Sequence, residues 1–187
     1  MLQFIRSLKR AFTPTPRQLA ANALYNAIVG QARQPAFYVD GGVPDTLDGR
    51  FDMIVLHAFL LMRRLRDAGE SGELLSQALF DEMFADMDRS LREMGVGDMG
   101  IGKRVRAMGE AFMGRVKAYD EGLDRPSPAL EEALSRNLYR AGQPEEAQLH
   151  RMAVHVRAQN ADLAGQPLDA LLAGAVRFLP ALGEARP

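Results

Sequence analysis

The sequence predicts an all-α fold: an irregular multi-helix bundle around a central buried helix at about 49–67, with a short amphipathic helix at the N-terminus. Three observations carry this expectation. Apolar residues recur at three- and four-residue spacing along most of the chain, and no convincing run alternates with a strand's period of two. Gly and Pro punctuate the pattern at helix-length intervals. Between Met53 and Met62 the only polar residue is His57, so that helix is apolar on every face and belongs inside a core. With 187 residues, 47% of them apolar, the chain is long enough for one domain with a real core.

Leu2, Ile5, Leu8 and Phe12 share one face of the first segment, with Arg6, Lys9 and Arg10 between them. Thr13-Pro14-Thr15-Pro16 then interrupts it. A helix over about 16–33 follows, with Leu19, Ala23, Asn26 and Ala27 on one flank and Leu24 and Ile28 beside them; Pro35 limits it. Residues 36–47 read as an irregular loop packed through Phe37 and Tyr38. Asp45 or Asp48 is the expected cap of the central helix, because a carboxylate accepts from the first free N–H groups. Gly69 ends that helix and Ser71 caps the next, at about 72–93, whose stripe is Leu75, Leu79, Met83, Met87 and Leu91. A glycine-rich loop leads to a helix at about 101–121, and Asp120 to Pro128 reads as a linker. Three shorter helices complete the chain. Ser127 with Pro128 opens the first and Gly142 ends it. Pro144 opens the second, with Leu149, Met152, Ala153 and Val156 on one face. Pro167 opens the third, with Leu168, Leu171, Leu172, Ala175 and Leu179 aligned until Pro180.

Residues 1–15 are therefore expected to form a basic amphipathic arm and residues 16–187 a single helical domain. The charge pattern agrees: no Asp or Glu precedes Asp40, whereas Arg6, Lys9, Arg10, Arg17 and Arg33 all do. Such a basic start suits an anionic surface. Leu2, Phe4, Ile5, Leu8 and Phe12 are candidates to dip into a bilayer interface while Arg6, Lys9 and Arg10 meet phosphates, at roughly 1 kcal/mol per basic residue. One short apolar face gives only weak, reversible attachment; the competing reading packs this helix on the domain or on a neighbour. The longest apolar run is about half the ~20 residues of a membrane span. Neither a secretory h-region nor a cleavage site is evident, and a presequence is disfavoured by the patterned region that follows at once. Cys is absent, which removes disulfide and thiolate chemistry.

No motif in the chain makes a convincing catalytic site. Gly95 to Gly100 matches G-x-G-x-x-G, but a dinucleotide fingerprint follows a strand and this one follows an amphipathic helix. Gly97 to Lys103 matches most of a P-loop, but Arg104 stands where a Ser or Thr would hold magnesium. A flexible helix connection is the better reading, although helix N–H groups beside Lys103 and Arg104 could hold an anion. His57 has no second ligand at helical spacing and reads as a core histidine bonded to backbone. His150 and His155 face different sides, so a metal site there is not expected. Glu82 and Asp86, with Arg89 at the next turn, read as a solvated face. Nine internal methionines suit either a core or an adaptable apolar binding groove. No cofactor and no nucleic-acid partner is expected.

Three ordered blocks carry a resemblance. The first, Ala23 to Leu65, joins an aromatic turn, FYVDGGVPDTLDGRFD, to the apolar helix. The second is LFDEMFADMDRSLREMGVGD (79–98), and the third GKRVRAMGEAFMGRVKAYDEGL (102–123). Together they resemble the ubiquinol–cytochrome c chaperone family, assembly factors of the bc1 complex, with a family-like core at about 23–123 and C-terminal helices at about 127–184. The resemblance implies a bacterial chaperone and not an enzyme. Its implied client is newly made cytochrome b or another bc1 subunit, and its implied place is the cytoplasm, peripheral to the inner face of the membrane. A partner chaperone or a homo-oligomer is also implied. A holdase needs an adaptable apolar surface. The candidates are Tyr25, Phe37, Tyr38, Phe51 and Met53 around the turn, with Arg50, Arg63 and Arg64 for polar loops or haem propionates of the client. Two rivals remain: a lipid- or amphiphile-binding helical domain, and a small enzyme acting on a phosphorylated substrate through Lys103 and Arg104.

Overall fold

The computed structural model describes residues 14–95 and 97–182, and among them it is all-α, with no strand. The N-terminal arm, with Leu2, Phe4, Ile5, Arg6, Leu8, Lys9, Arg10 and Phe12, lies outside the described residues apart from its last two positions.

Helix α1 (Pro16–Ala32) starts as its sequence dictates. Thr15 Oγ1 accepts from the Gln18 N–H at 3.2 Å, Gln18 Oε1 accepts from the Thr15 N–H at 2.8 Å, and Pro16 sits where no N–H is needed. Its buried face is Ala21, Leu24, Tyr25 and Ile28, while the expected flank of Leu19, Ala23 and Asn26 faces solvent. The loop after Pro35 is more regular than expected: Ala36–Val39 forms a short helix, α2, which drives Phe37 into the core.

The central helix is α3 (Leu47–Leu65). Its cap is Thr46, whose Oγ1 accepts from the Gly49 N–H at 3.1 Å; Asp45 instead pairs with Arg50 and Asp48 occupies the first turn. A Cβ on Gly49 would lie 1.9 Å from the Pro44 carbonyl oxygen, so the turn closes only over glycine. Every residue from Phe51 to Leu61 is buried. At about 1.5–3 kcal/mol for each large apolar side chain fully removed from water, this helix contributes more to the core than any single surface helix can.

A 3-10 turn (Arg66–Ala68) and Gly69, at φ +56°, reverse the chain into α4 (Gly69–Glu93). Because the turn is so tight, α4 begins before Ser71, which caps nothing. Helix α5 (Asp98–Asp124) absorbs part of the predicted linker, and α6 (Ala129–Asn137) starts without a side-chain cap; the Ser127 hydroxyl donates to Glu131 instead. Helix α7 (Glu146–Gly165) opens on a capping box between Glu145 and Gln148. Helix α8 (Leu168–Leu172) is far shorter than its apolar spacing suggested. Gly174, at φ +90°, ends it, and residues 175–181 continue with no regular structure.

Helix α1 lies along α3 and α4, and α3 also meets α5 and α7; α6 bridges α5 and α7, and α8 closes against α1 and α4. Glu82 and Asp86 are half-buried, and Asp86 meets Arg89 at 3.2 Å as the spacing suggested, but both also reach across to α1. They accept from Asn22 at 3.0 Å and from the Tyr25 hydroxyl at 2.8 Å, fastening α4 to α1.

Candidate functional site

The Asp-Gly-Arg-Phe-Asp run that ends the aromatic turn organises a buried polar cluster. Asp52 is 1% exposed, and its two oxygens lie 2.8 Å from Arg115 Nη2 on α5 and 3.1 Å from Arg140 Nε after α6. Asp48, one turn earlier, lies 3.0 Å from Arg140 Nη2. The Arg115 guanidinium sits 6.0 Å above the Phe51 ring and donates from Nη1 to the Ala111 carbonyl. Burial pushes the Asp52 carboxyl up, and the two guanidiniums pull against that shift without cancelling it. Above this cluster the Tyr139 hydroxyl donates to the Gly41 carbonyl at 2.6 Å, which holds the glycine turn onto the body. None of these contacts was legible in the sequence, because Arg115 and Arg140 come from elements remote in the chain.

His57 meets its expected place. It is 1% exposed, with Nδ1 2.9 Å from the Met53 carbonyl oxygen, and burial lowers its pKa to about 4, so it is neutral. Its ring meets the edges of Phe37 and Phe178, and Phe37 in turn meets His155, also lowered to about 4 by burial. Among the described residues no group of three His, Cys, Asp or Glu is placed to hold a metal ion. Lys103 and Arg104 are exposed on α5.

The eight turn and helix candidates separate by burial. Tyr25, Phe37, Phe51 and Met53 are all within the core, where they fix the shape of the turn and present no surface. Tyr38 is half-buried and its hydroxyl donates to the Ala32 carbonyl at 2.7 Å. Arg63 pairs with Asp120 and, at 2.5 Å, with Asp124; Arg66 joins it on Asp120 at 2.6 Å. Arg64 pairs with Asp67 at 2.7 Å and donates to the Gln166 carbonyl at 2.8 Å. Arg50 stays exposed beside two outward apolar residues, Val39 at 75% and Leu47 at 68% exposure.

An open apolar groove lies elsewhere, between the second half of α3 and the facing sides of α4 and α5. Phe59, Met62, Phe80, Phe112, Met113 and Val116 line this groove, with Arg63, Arg66 and Glu73 on its rim. Met113 is 61% exposed at its edge. Phe80 and Phe112, which line it, form one ring cluster with the neighbouring Phe84, with centroids 4.3–6.3 Å apart. Neither Phe80 nor Phe112 belongs to a stripe that the sequence marks; the packing of α4 on α5 brings their rings together. A flexible thioether beside stacked rings gives a surface that can adapt to apolar partners of different shape. No described helix is long and apolar enough to cross a membrane.

Comparison with known proteins gives a consistent result. A family model described as ubiquinol-cytochrome C chaperone matches residues 39–178. The chain is 25% identical over 169 residues to ubiquinol-cytochrome c reductase complex assembly factor 1 of Drosophila melanogaster, covering 86% of this chain and 65% of that protein. It is 27% identical over 142 residues to the Xenopus laevis protein of the same name, covering 76% and 71% respectively. The crystal structure of the Cbp3 homolog from Brucella abortus superposes with a TM-score of 0.79 at 33% identity, over 96% of this chain and 97% of that one.

Proposed function

This chain belongs to the ubiquinol-cytochrome C chaperone family, and from that premise we propose that it holds newly made cytochrome b, or another apolar subunit, during assembly of the ubiquinol–cytochrome c reductase complex. The observation that carries this reading is the groove between α3, α4 and α5, open among the described residues, with Met113 exposed over Phe80 and Phe112. An unassembled membrane subunit exposes apolar helices, and a helix laid in a Met-edged groove is a recurrent mode of recognition. The role asks for retention and release, so no reacting group is assigned and the chain acts as a chaperone, not as an enzyme. Tyr38 and Arg50, with Val39 and Leu47, form a second contact region at the aromatic turn, suited to polar loops of the same client. The site of action is the cytoplasm beside the inner face of the membrane, where a nascent subunit emerges. Its relatives' names speak of assembly of this reductase complex, which supports the choice of client.

The test replaces Met113 with Asp in cells that lack the endogenous copy of this protein. Because Met113 is exposed, the variant is expected to fold normally. Cytochrome b, read from the reduced-minus-oxidised spectrum of membranes, should fall, and photocrosslinks from the groove to cytochrome b should weaken. Unchanged cytochrome b and unchanged crosslinks in a folded variant would remove the groove from this role.

A further inference from the structure

The segment after α8 is held in an unusual way. Gly174 turns the chain at φ +90°, so close to α1 that a Cβ there would lie 2.8 Å from the Ala20 Cα. Residues 175–181 then run without regular structure, half-buried for most of their length, and backbone groups withdrawn from water must find partners. Three glutamine side chains supply them. Gln166 donates from Nε2 to the Arg177 carbonyl at 2.6 Å and accepts at Oε1 from the Arg177 N–H at 3.1 Å. Gln159 Oε1 accepts from the Leu179 N–H at 2.7 Å, and Gln31 Nε2 donates to the Leu179 carbonyl at 2.9 Å. Between these two residues Phe178 turns inward and meets the His57 ring at 5.5 Å.

All four bonds engage backbone groups of the segment, so they are indifferent to its side chains. The inward position asks only for an apolar group. The groove also offers more than the segment uses. Gln159 is fully buried, yet among the described residues its Nε2 has no partner, and neither does His155 Nε2 one turn earlier on α7. The segment ends against the glycine turn, where Leu182 Cδ1 lies 2.9 Å from the place of a Cβ on Gly41. Beyond Leu182 a shallow recess continues past Asp40, Arg151 and Val154.

We propose that this channel between α1 and α7 is a binding site for an extended apolar polypeptide segment of a client, and that residues 175–182 occupy it as an internal stand-in that gives way. The choice of client rests on the chaperone reading above; the exchange itself does not. An unassembled membrane subunit presents such segments where its helices are joined or not yet formed, with backbone groups in need of amide partners. Displacement uncovers the Phe37–His57–His155 stack beside the aromatic turn, bringing buried residues of that turn within reach of the client.

The chain contains no tryptophan, so Phe178→Trp provides a single fluorescent reporter on the full-length protein. Two synthetic peptides serve as probes: one copying residues 175–182, and one of unrelated sequence alternating leucine and serine. Each is expected to displace the segment saturably and shift the emission to the red. In the unmodified chain each should also speed tryptic cleavage after Arg177, followed by mass spectrometry, and so remove dependence on the tryptophan variant. Gln166→Leu, which loses both hydrogen bonds to the segment and a third to Asp162, should raise that cleavage roughly ten-fold without any peptide. Three results overturn the proposal: neither peptide acts, only the self-copy acts, or the reporter shifts only as the protein dimerises by exchanging tails. Normal cytochrome b in the Met113→Asp strain would instead overturn the chaperone groove and leave the displacement measured here intact.

Discussion

Replacing Asp52 with Asn is the most informative single perturbation of the fold. The carboxylate is 1% exposed and faces two guanidiniums, Arg115 at 2.8 Å and Arg140 at 3.1 Å. Arg140 can turn back to Asp48 at the surface, but Arg115, 6% exposed, pairs with no second acid among the described residues. The variant therefore strands a buried positive charge, and breaking a buried pair in this way costs about 3–5 kcal/mol. That is a large share of the ~5–15 kcal/mol that separates a typical domain from its unfolded state. Urea unfolding followed by helical circular dichroism gives the change directly, since the slope should stay constant while the midpoint falls. Asp52→Leu combined with Arg115→Met should recover much of the loss, because the raised carboxyl pKa marks burial as the dominant cost of the pair. An Asp52→Asn loss below ~1 kcal/mol, or a double variant as unstable as the sum of the singles, would show that this cluster does not join α3 to α5 as described.

Acid should unfold the protein through its histidines before its carboxylates. His57 and His155 are held near 4 against an ordinary value of 6.5, so the unfolded chain binds protons that the folded one refuses. Stability should fall as pH drops from about 6.5 to 4, by at most roughly 2 kcal/mol per histidine at pH 5, and His155→Phe should remove about half of that slope in pH-dependent melting. Gly114→Ala, at an open helix site, should stabilise by about 0.5–1 kcal/mol in the same urea assay. Gly49→Ala should destabilise by more than ~1 kcal/mol and expose the turn to hydrogen exchange, because its Cβ meets the Pro44 carbonyl. Thr46→Ala should cost about 1 kcal/mol through loss of the α3 cap, and an unchanged melting curve would count against that bond.

How far the sequence spoke depended on the range of the physics involved. The central helix was plain because burial on all faces is written in one contiguous run, and the α1 capping box was equally local. Asp52 was opaque because its partners stand 63 and 88 residues away, and a carboxylate in a helix reads as solvated until its neighbours are known. The reach of Glu82 and Asp86 to α1 was hidden for the same reason. The aromatic turn drew attention correctly as a landmark, but Phe37, Phe51 and Met53 carry no mark that separates a core side chain from a binding one. The last helix was overextended because Ala175 and Leu179 continue the spacing of Leu168 and Leu172; Gly174 outweighs that periodicity. The α3–α4–α5 groove was half visible, in the methionines, and its phenylalanines were not.

The ion pairs along α5 are all on one side of its midpoint. Arg115, Asp120 and Asp124 fasten its later turns to α3, whereas among the described residues no side-chain hydrogen bond or salt bridge joins its earlier turns to another element. Met108 and Phe112 pack that stretch onto the core by apolar contact, a force without preferred direction. A beam pinned at one end and greased at the other can change the gap beside it while its anchorage stays still. If the groove holds a client as proposed, the cost of admitting a bulkier guest would fall on these apolar contacts while the ion pairs to α3 stay in place.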